Sequence, residues 1–170
     1  MKKLTLKKDA FTLVEVLLYM SLTSVLVLMI AMLWVTASDT RDRGEAMSIV
    51  NTEATSIVSK LTQVIRNASS VNTPTLGNSG GSLALAMSNA ANSPTVISLS
   101  GGNITITEGS NPPNTLNSNR VSISALTFRN VTENFASGSV RIEITVTYIN
   151  TTGKTSLDYS QTFYATATLR

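Results

Sequence analysis

The sequence predicts an α+β protein: a long N-terminal helix, half membrane anchor and half amphipathic, packed on an antiparallel β-sheet. Three observations predict this. Residues 16–38 contain no charged side chain. Met47, Val50, Ala54, Ile57, Leu61 and Ile65 recur at spacings of three and four, the period of one helical face. Val140, Ile142, Ile144, Val146 and Tyr148 alternate with Arg141, Glu143, Thr145 and Thr147, the period of a half-buried strand. A chain of 170 residues has room for one ordinary domain plus an anchor. The expected segments are a charged stretch (1–10), an apolar helix (11–38), an amphipathic helix (39–67) and a β-rich globular part (68–170).

The first segment holds Lys2, Lys3, Lys7 and Lys8 against Asp9. The whole chain has 13 Lys and Arg and 10 Asp and Glu, so residues 11–170 retain nine of each. The body is neutral, and a basic isoelectric point is no argument for nucleic acid or acidic partners. There is no Cys and no His. Disulfides, thiolate metal sites, thiol nucleophiles and a histidine base are thereby excluded. No metal and no cofactor is expected.

The apolar helix opens with Ala10-Phe11-Thr12-Leu13-Val14-Glu15-Val16-Leu17-Leu18. As a helix, the uncharged run spans roughly 34 Å, enough to cross a hydrocarbon core. Asp39, Arg41, Asp42, Arg43 and Glu45 close it. Lysines before the run place the N-terminus in the cytoplasm and the bulk of the chain outside. A secretory signal peptide cut near Val35-Thr36-Ala37 is one alternative, but its apolar region is typically about 7–15 residues. A plain anchor that only tethers the domain is another.

Neither alternative uses Glu15. A charge in an apolar run is disfavoured, by up to about 2.5–3.5 kcal/mol at a helix centre. Two readings follow: a tolerated interfacial acid, or an acid with a designated cation. If the chain is cut between Ala10 and Phe11, a new α-ammonium appears four residues before Glu15 and can pair with it, within one chain or between neighbours.

A Lys-rich start, a small residue and then Phe11-Thr12-Leu13-Val14-Glu15-Val16-Leu17 resemble the class III leader of type IV pilins and type II secretion pseudopilins. The resemblance covers about 30 residues. It implies a bacterial structural subunit, cleavage between Ala10 and Phe11 by a membrane prepilin peptidase, and N-methylation of Phe11. It also implies assembly with helices bundled in a filament core. Glu15 would neutralise the terminal amine of an adjacent subunit during docking. The implied partners are the peptidase, other pilin or pseudopilin subunits and the inner-membrane assembly platform. The implied location is the inner membrane, single-pass, and then the pilus or pseudopilus. The family more often has Gly before the cut; here it is Ala10.

The amphipathic helix follows, with Val58 and Val64 beside its apolar stripe. No Pro precedes Pro74, and Gly44 is the one place where the pattern allows a kink or break. Many major pilins carry a Pro in the apolar segment, so its absence resembles a minor subunit. Residues 67–120 are rich in Ser, Thr, Asn and Gly, punctuated by Pro74, Pro94 and Pro112-Pro113. Strands are expected at Ser82–Met87, Thr95–Leu99 and Asn103–Glu108, with Gly101-Gly102 as a hairpin turn. The glycines form no phosphate loop, since no Lys-Ser/Thr pair accompanies them.

Beyond Arg120, alternation through Val121 and Ile123 shifts phase at Ala125-Leu126, which predicts a bulge. Asn150 to Lys154 is a turn, and Leu157, Tyr159, Phe163, Ala165 and Ala167 are expected on one face of the last strand. Ala125-Leu126-Thr127-Phe128, the strand from Val140 to Val146 and the ending Ala167-Thr168-Leu169-Arg170 resemble minor pilins of the J and W types. That narrower resemblance implies a low-copy subunit near the filament tip.

Two other function classes compete. A competence-type pilin that binds DNA would use Arg120, Arg129 and Arg141, but the neutral body does not favour nucleic acid as a partner. An anchored enzyme would draw on Glu108, Glu133, Glu143 and Asp158, with Lys60 and Lys154 alone, and these are scattered without motif spacing. No enzymatic activity is expected.

Overall fold

The computed structural model describes residues 12–132 and 138–170. The chain divides into two compact units, one ending at Arg41 and the other spanning Asp42–Arg170. One helix, α1 (Leu13–Arg66), contributes to both. It runs without interruption through Gly44. A Cβ there would meet nothing within 4 Å, so the glycine carries only its intrinsic propensity cost of about 1 kcal/mol. The last turn closes when the Asn67 N–H is shared between the carbonyls of Gln63 and Val64, at 3.2 Å each.

Within the second unit α1 buries Ala46, Val50, Ala54, Ile57, Leu61 and Ile65 completely. The stripe therefore starts one residue earlier than expected. Met47 is 40% exposed, and Ala46 takes the inward place four residues before Val50.

Those strands form two antiparallel sheets, where the sequence suggested one. The first contains β1 (Ala68–Thr73), β3 (Ser82–Met87), β4 (Thr95–Ser100), β5 (Asn103–Glu108) and β6 (Asn114–Thr115), in the order β1-β3-β4-β5-β6. The second contains β2 (Ser79–Gly80), β7 (Val121–Asn130), β8 (Ser139–Tyr148) and β9 (Ser160–Thr168), in the order β2-β7-β8-β9. The first sheet exists because the polar middle of the chain still carries an alternating inward set, Leu83, Leu85, Ile97, Ile104 and Ile106. With Phe128, Ile142, Ile144 and the helix stripe from Val50 to Ile65, these residues make one contiguous core.

The Gly101-Gly102 turn forms as expected, joining Ser100 to Asn103 with φ of +56° and +78°, values that suit a tight hairpin and exclude most side chains. Gly102 does a second job. Its carbonyl accepts the Ile123 N–H at 2.8 Å, and an added Cβ would fall 2.4 Å from Ser122 Oγ. The turn of the first sheet is thus tied to the first long strand of the second.

The bulge in β7 is also present, with the register against β8 slipping between Ile123 and Ala125. In β9, Phe163, Ala165 and Ala167 stand opposite Ile144, Ile142 and Val140. Leu157 does not belong to that face. It lies in a short 3-10 turn, Thr155–Leu157, and the strand begins only at Ser160. The turn is organised by Asn150, whose Oδ1 accepts the N–H groups of Thr152 (3.1 Å) and Gly153 (3.0 Å). Its amide nitrogen donates to the Lys154 carbonyl at 2.8 Å.

Candidate functional site: the apolar helix and its acid

The candidate site lies in the first unit, and it is a surface rather than a cleft. α1 is long and apolar enough to cross a membrane, and none of its most apolar stretch is buried against other residues of the chain. Leu13, Leu18, Val25, Ile30 and Trp34 all stand half or nearly half exposed or more, Trp34 at 78%. Exposed apolar area on this scale marks a membrane or protein contact.

Polar side chains along the segment turn back onto the helix. The hydroxyls of Ser21, Thr23, Ser24 and Thr36 donate to the carbonyls of Leu18, Tyr19, Ser21 and Met32, at 2.8, 2.8, 2.8 and 3.0 Å. Each hydroxyl is satisfied without water, which is what a hydrocarbon or protein-filled environment requires.

Glu15 sits half-buried in the first turn of the helix. Its backbone N–H donates to Thr12 Oγ1 at 3.3 Å. Its Oε1 accepts from the Tyr19 hydroxyl at 3.3 Å, one turn on. The acid also lies near the positive end of the helix dipole. Thr12 and Tyr19 are site residues that the sequence reasoning passed over. The signal was there: Thr12-x-x-Glu15 is the capping-box spacing, and Tyr19 follows Glu15 at the i, i+4 interval. Among the described residues no cation pairs with Glu15. Ala10 and Phe11, the expected cleavage pair and methylation position, lie outside the described residues.

In the second unit the remaining candidates are largely dispersed. Arg129 and Arg141 are direct cross-strand partners, and the Arg141 guanidinium lies 5.4 Å from the Tyr164 ring centroid. Arg120 is not part of that pair; it faces Glu45 at 3.6 Å. Glu143 has Thr127 and Tyr164 as strand neighbours. Asp158 accepts from Asn150 Nδ2 at 2.7 Å, and Lys154 pairs with Asp42 at 2.9 Å. Glu133 lies outside the described residues. Among the described residues no three His, Cys, Asp or Glu side chains are placed to hold a metal ion. Comparison with models of known families, with curated proteins and with solved structures gives no match.

Proposed function

We propose that this chain is a pilin-like structural subunit, a minor pilin or pseudopilin, that polymerises through the N-terminal part of α1. The observation that carries the reading is an uncharged helical run, none of it buried in its own chain, with hydroxyls bonded back to the helix, headed by one acid. Such a surface is stable in only two settings, a bilayer or a bundle of like helices, and a subunit that passes from one to the other uses both. In this reading a prepilin peptidase cuts between Ala10 and Phe11, and Phe11 is N-methylated. The subunit waits in the inner membrane with the second unit outside, then joins its neighbours at the assembly platform.

Glu15 sets the register. In a bundle of apolar helices an unpaired carboxylate costs about 3–5 kcal/mol, and a paired one is tolerated. The Phe11 ammonium of an adjacent subunit is the cation proposed for it.

Mass spectrometry of the mature protein tests the cut: a methylated start at Phe11 is expected, and a start at Ser38 would replace this reading with ordinary secretion. Because the Glu15 carboxylate also accepts from the Tyr19 hydroxyl, the decisive variant for docking is Glu15→Gln. Glutamine keeps the side chain's shape and an acceptor oxygen for Tyr19 and removes the charge. Cleavage should persist while incorporation into filaments falls; normal incorporation would reduce Glu15 to a hydrogen-bond partner of Tyr19.

A further inference from the structure

We propose that Trp34 and Arg41 form a phospholipid headgroup site that sets the depth of the helix in the membrane. The inference rests on the anchored reading above and adds its outer boundary.

Trp34, Ala37, Ser38 and Arg41 follow at intervals of three, one and three, which places them on one helix face. Together they line a shallow recess of about 200 Å³. Trp34 and Arg41 are its two large lining residues, and the small Ala37 and Ser38 lie between them in sequence. Trp34 is the only tryptophan in the chain and stands four residues before the uncharged run ends. An indole has an apolar body and one N–H donor, and it favours the layer where acyl chains meet headgroups.

The charges beyond it are unevenly committed. Asp42 pairs with Lys154 and Glu45 with Arg120. Arg41 has no ion pair among the described residues. Asp39, five positions after Trp34, lies roughly 140° round the helix from it, away from the Arg41 face. The recess therefore offers one exposed guanidinium beside one indole. A guanidinium takes a phosphate through two parallel hydrogen bonds. A phospholipid supplies that phosphodiester and, directly beneath it, the interfacial zone the indole prefers. A neighbouring apolar helix supplies neither.

The single tryptophan makes the test direct. Full-length protein is reconstituted into vesicles of phosphatidylcholine and phosphatidylglycerol. Its emission is then quenched by lipids brominated near the headgroup, by lipids brominated at mid-chain, and by aqueous acrylamide. Near-headgroup bromine should quench at least about twofold more than mid-chain bromine, as expected for an interfacial indole. Arg41→Ala should shift that ratio by about twofold as the helix loses its phosphate anchor, and Arg41→Lys should largely preserve it. A protein that floats with the vesicles but shows dominant acrylamide or mid-chain quenching overturns the site, as does a ratio unmoved in Arg41→Ala. Protection from all three quenchers means that another helix covers Trp34, which also overturns it. Failure to float with vesicles would sink the membrane reading itself, and the site with it.

Discussion

The Lys154 ammonium stands 2.9 Å from the Asp42 carboxylate, joining the turn before β9 to helix α1 across 112 positions of sequence. Arg120 approaches Glu45 in the same manner at 3.6 Å. Both pairs are solvent-facing, with the Lys154 side chain 55% exposed and Asp42 22%. Water and salt screen such pairs, and each contributes about 0.2–1 kcal/mol. Lys154→Met should lower unfolding stability by less than about 1 kcal/mol. Denaturant titrations of full-length protein in detergent should show the difference shrinking as salt is added.

Asn117 predicts a larger effect from a single neutral side chain. It is 8% exposed. Its Oδ1 accepts the Ile104 N–H at 2.9 Å, and its Nδ2 donates to Asn103 Oδ1 at 2.9 Å and the Val121 carbonyl at 3.1 Å. It therefore links β5 to the start of β7. Asn117→Leu strands a buried donor and a buried acceptor, each costing about 1–3 kcal/mol. A loss of about 2–4 kcal/mol is expected, read as a shifted denaturation midpoint in circular dichroism.

One substitution at two glycines should act with opposite sign. Gly44→Ala replaces a helical glycine where an added Cβ meets nothing, and should stabilise by about 0.5–1 kcal/mol. Gly109 has φ of +56°, and a Cβ there would fall 2.1 Å from the Ala91 carbonyl oxygen. Gly109→Ala combines left-handed strain, roughly 1–2 kcal/mol, with displacement of backbone. Thermal melts of the two variants should move in opposite directions.

Among the described residues Phe128 is the largest fully buried side chain, and it lies in β7 opposite Ile142. Phe128→Ala should cost about 3–5 kcal/mol through lost burial and the cavity left behind. Phe128→Leu should cost far less, and near-equal midpoints for the two would contradict a closely packed Phe128.

Legibility in the sequence followed periodicity. The apolar run, the helix stripe, β3, β5, β8 and the β7 bulge all have strong apolar patterns and were expected close to where they lie. β1 was not expected, because Ala68 is its only fully buried residue. The two-residue strands β2 and β6 are too short to carry a period at all. The split into two sheets is a tertiary outcome that no local pattern encodes, since inward residues look alike whichever sheet holds them. At the candidate site the charge pattern pointed to Glu15, and the spacings to Thr12 and Tyr19 were legible too. Many i, i+3 and i, i+4 pairs on a helix make no bond, however, and only the structure shows that these two do.

Ser124 is the surplus residue of β7. It falls between Ile123, opposite Val146, and Ala125, opposite Thr145, so that two consecutive side chains, Ser124 and Ala125, are exposed. Excising Ser124 would leave Val121, Ile123, Leu126 and Phe128 in perfect alternation, each still aimed at the core and opposite its present partner. Excising Ser122 or Thr127 instead would throw half the strand onto the wrong side. Indels in this strand should thus be survivable at one site, where the chain is already one residue too long.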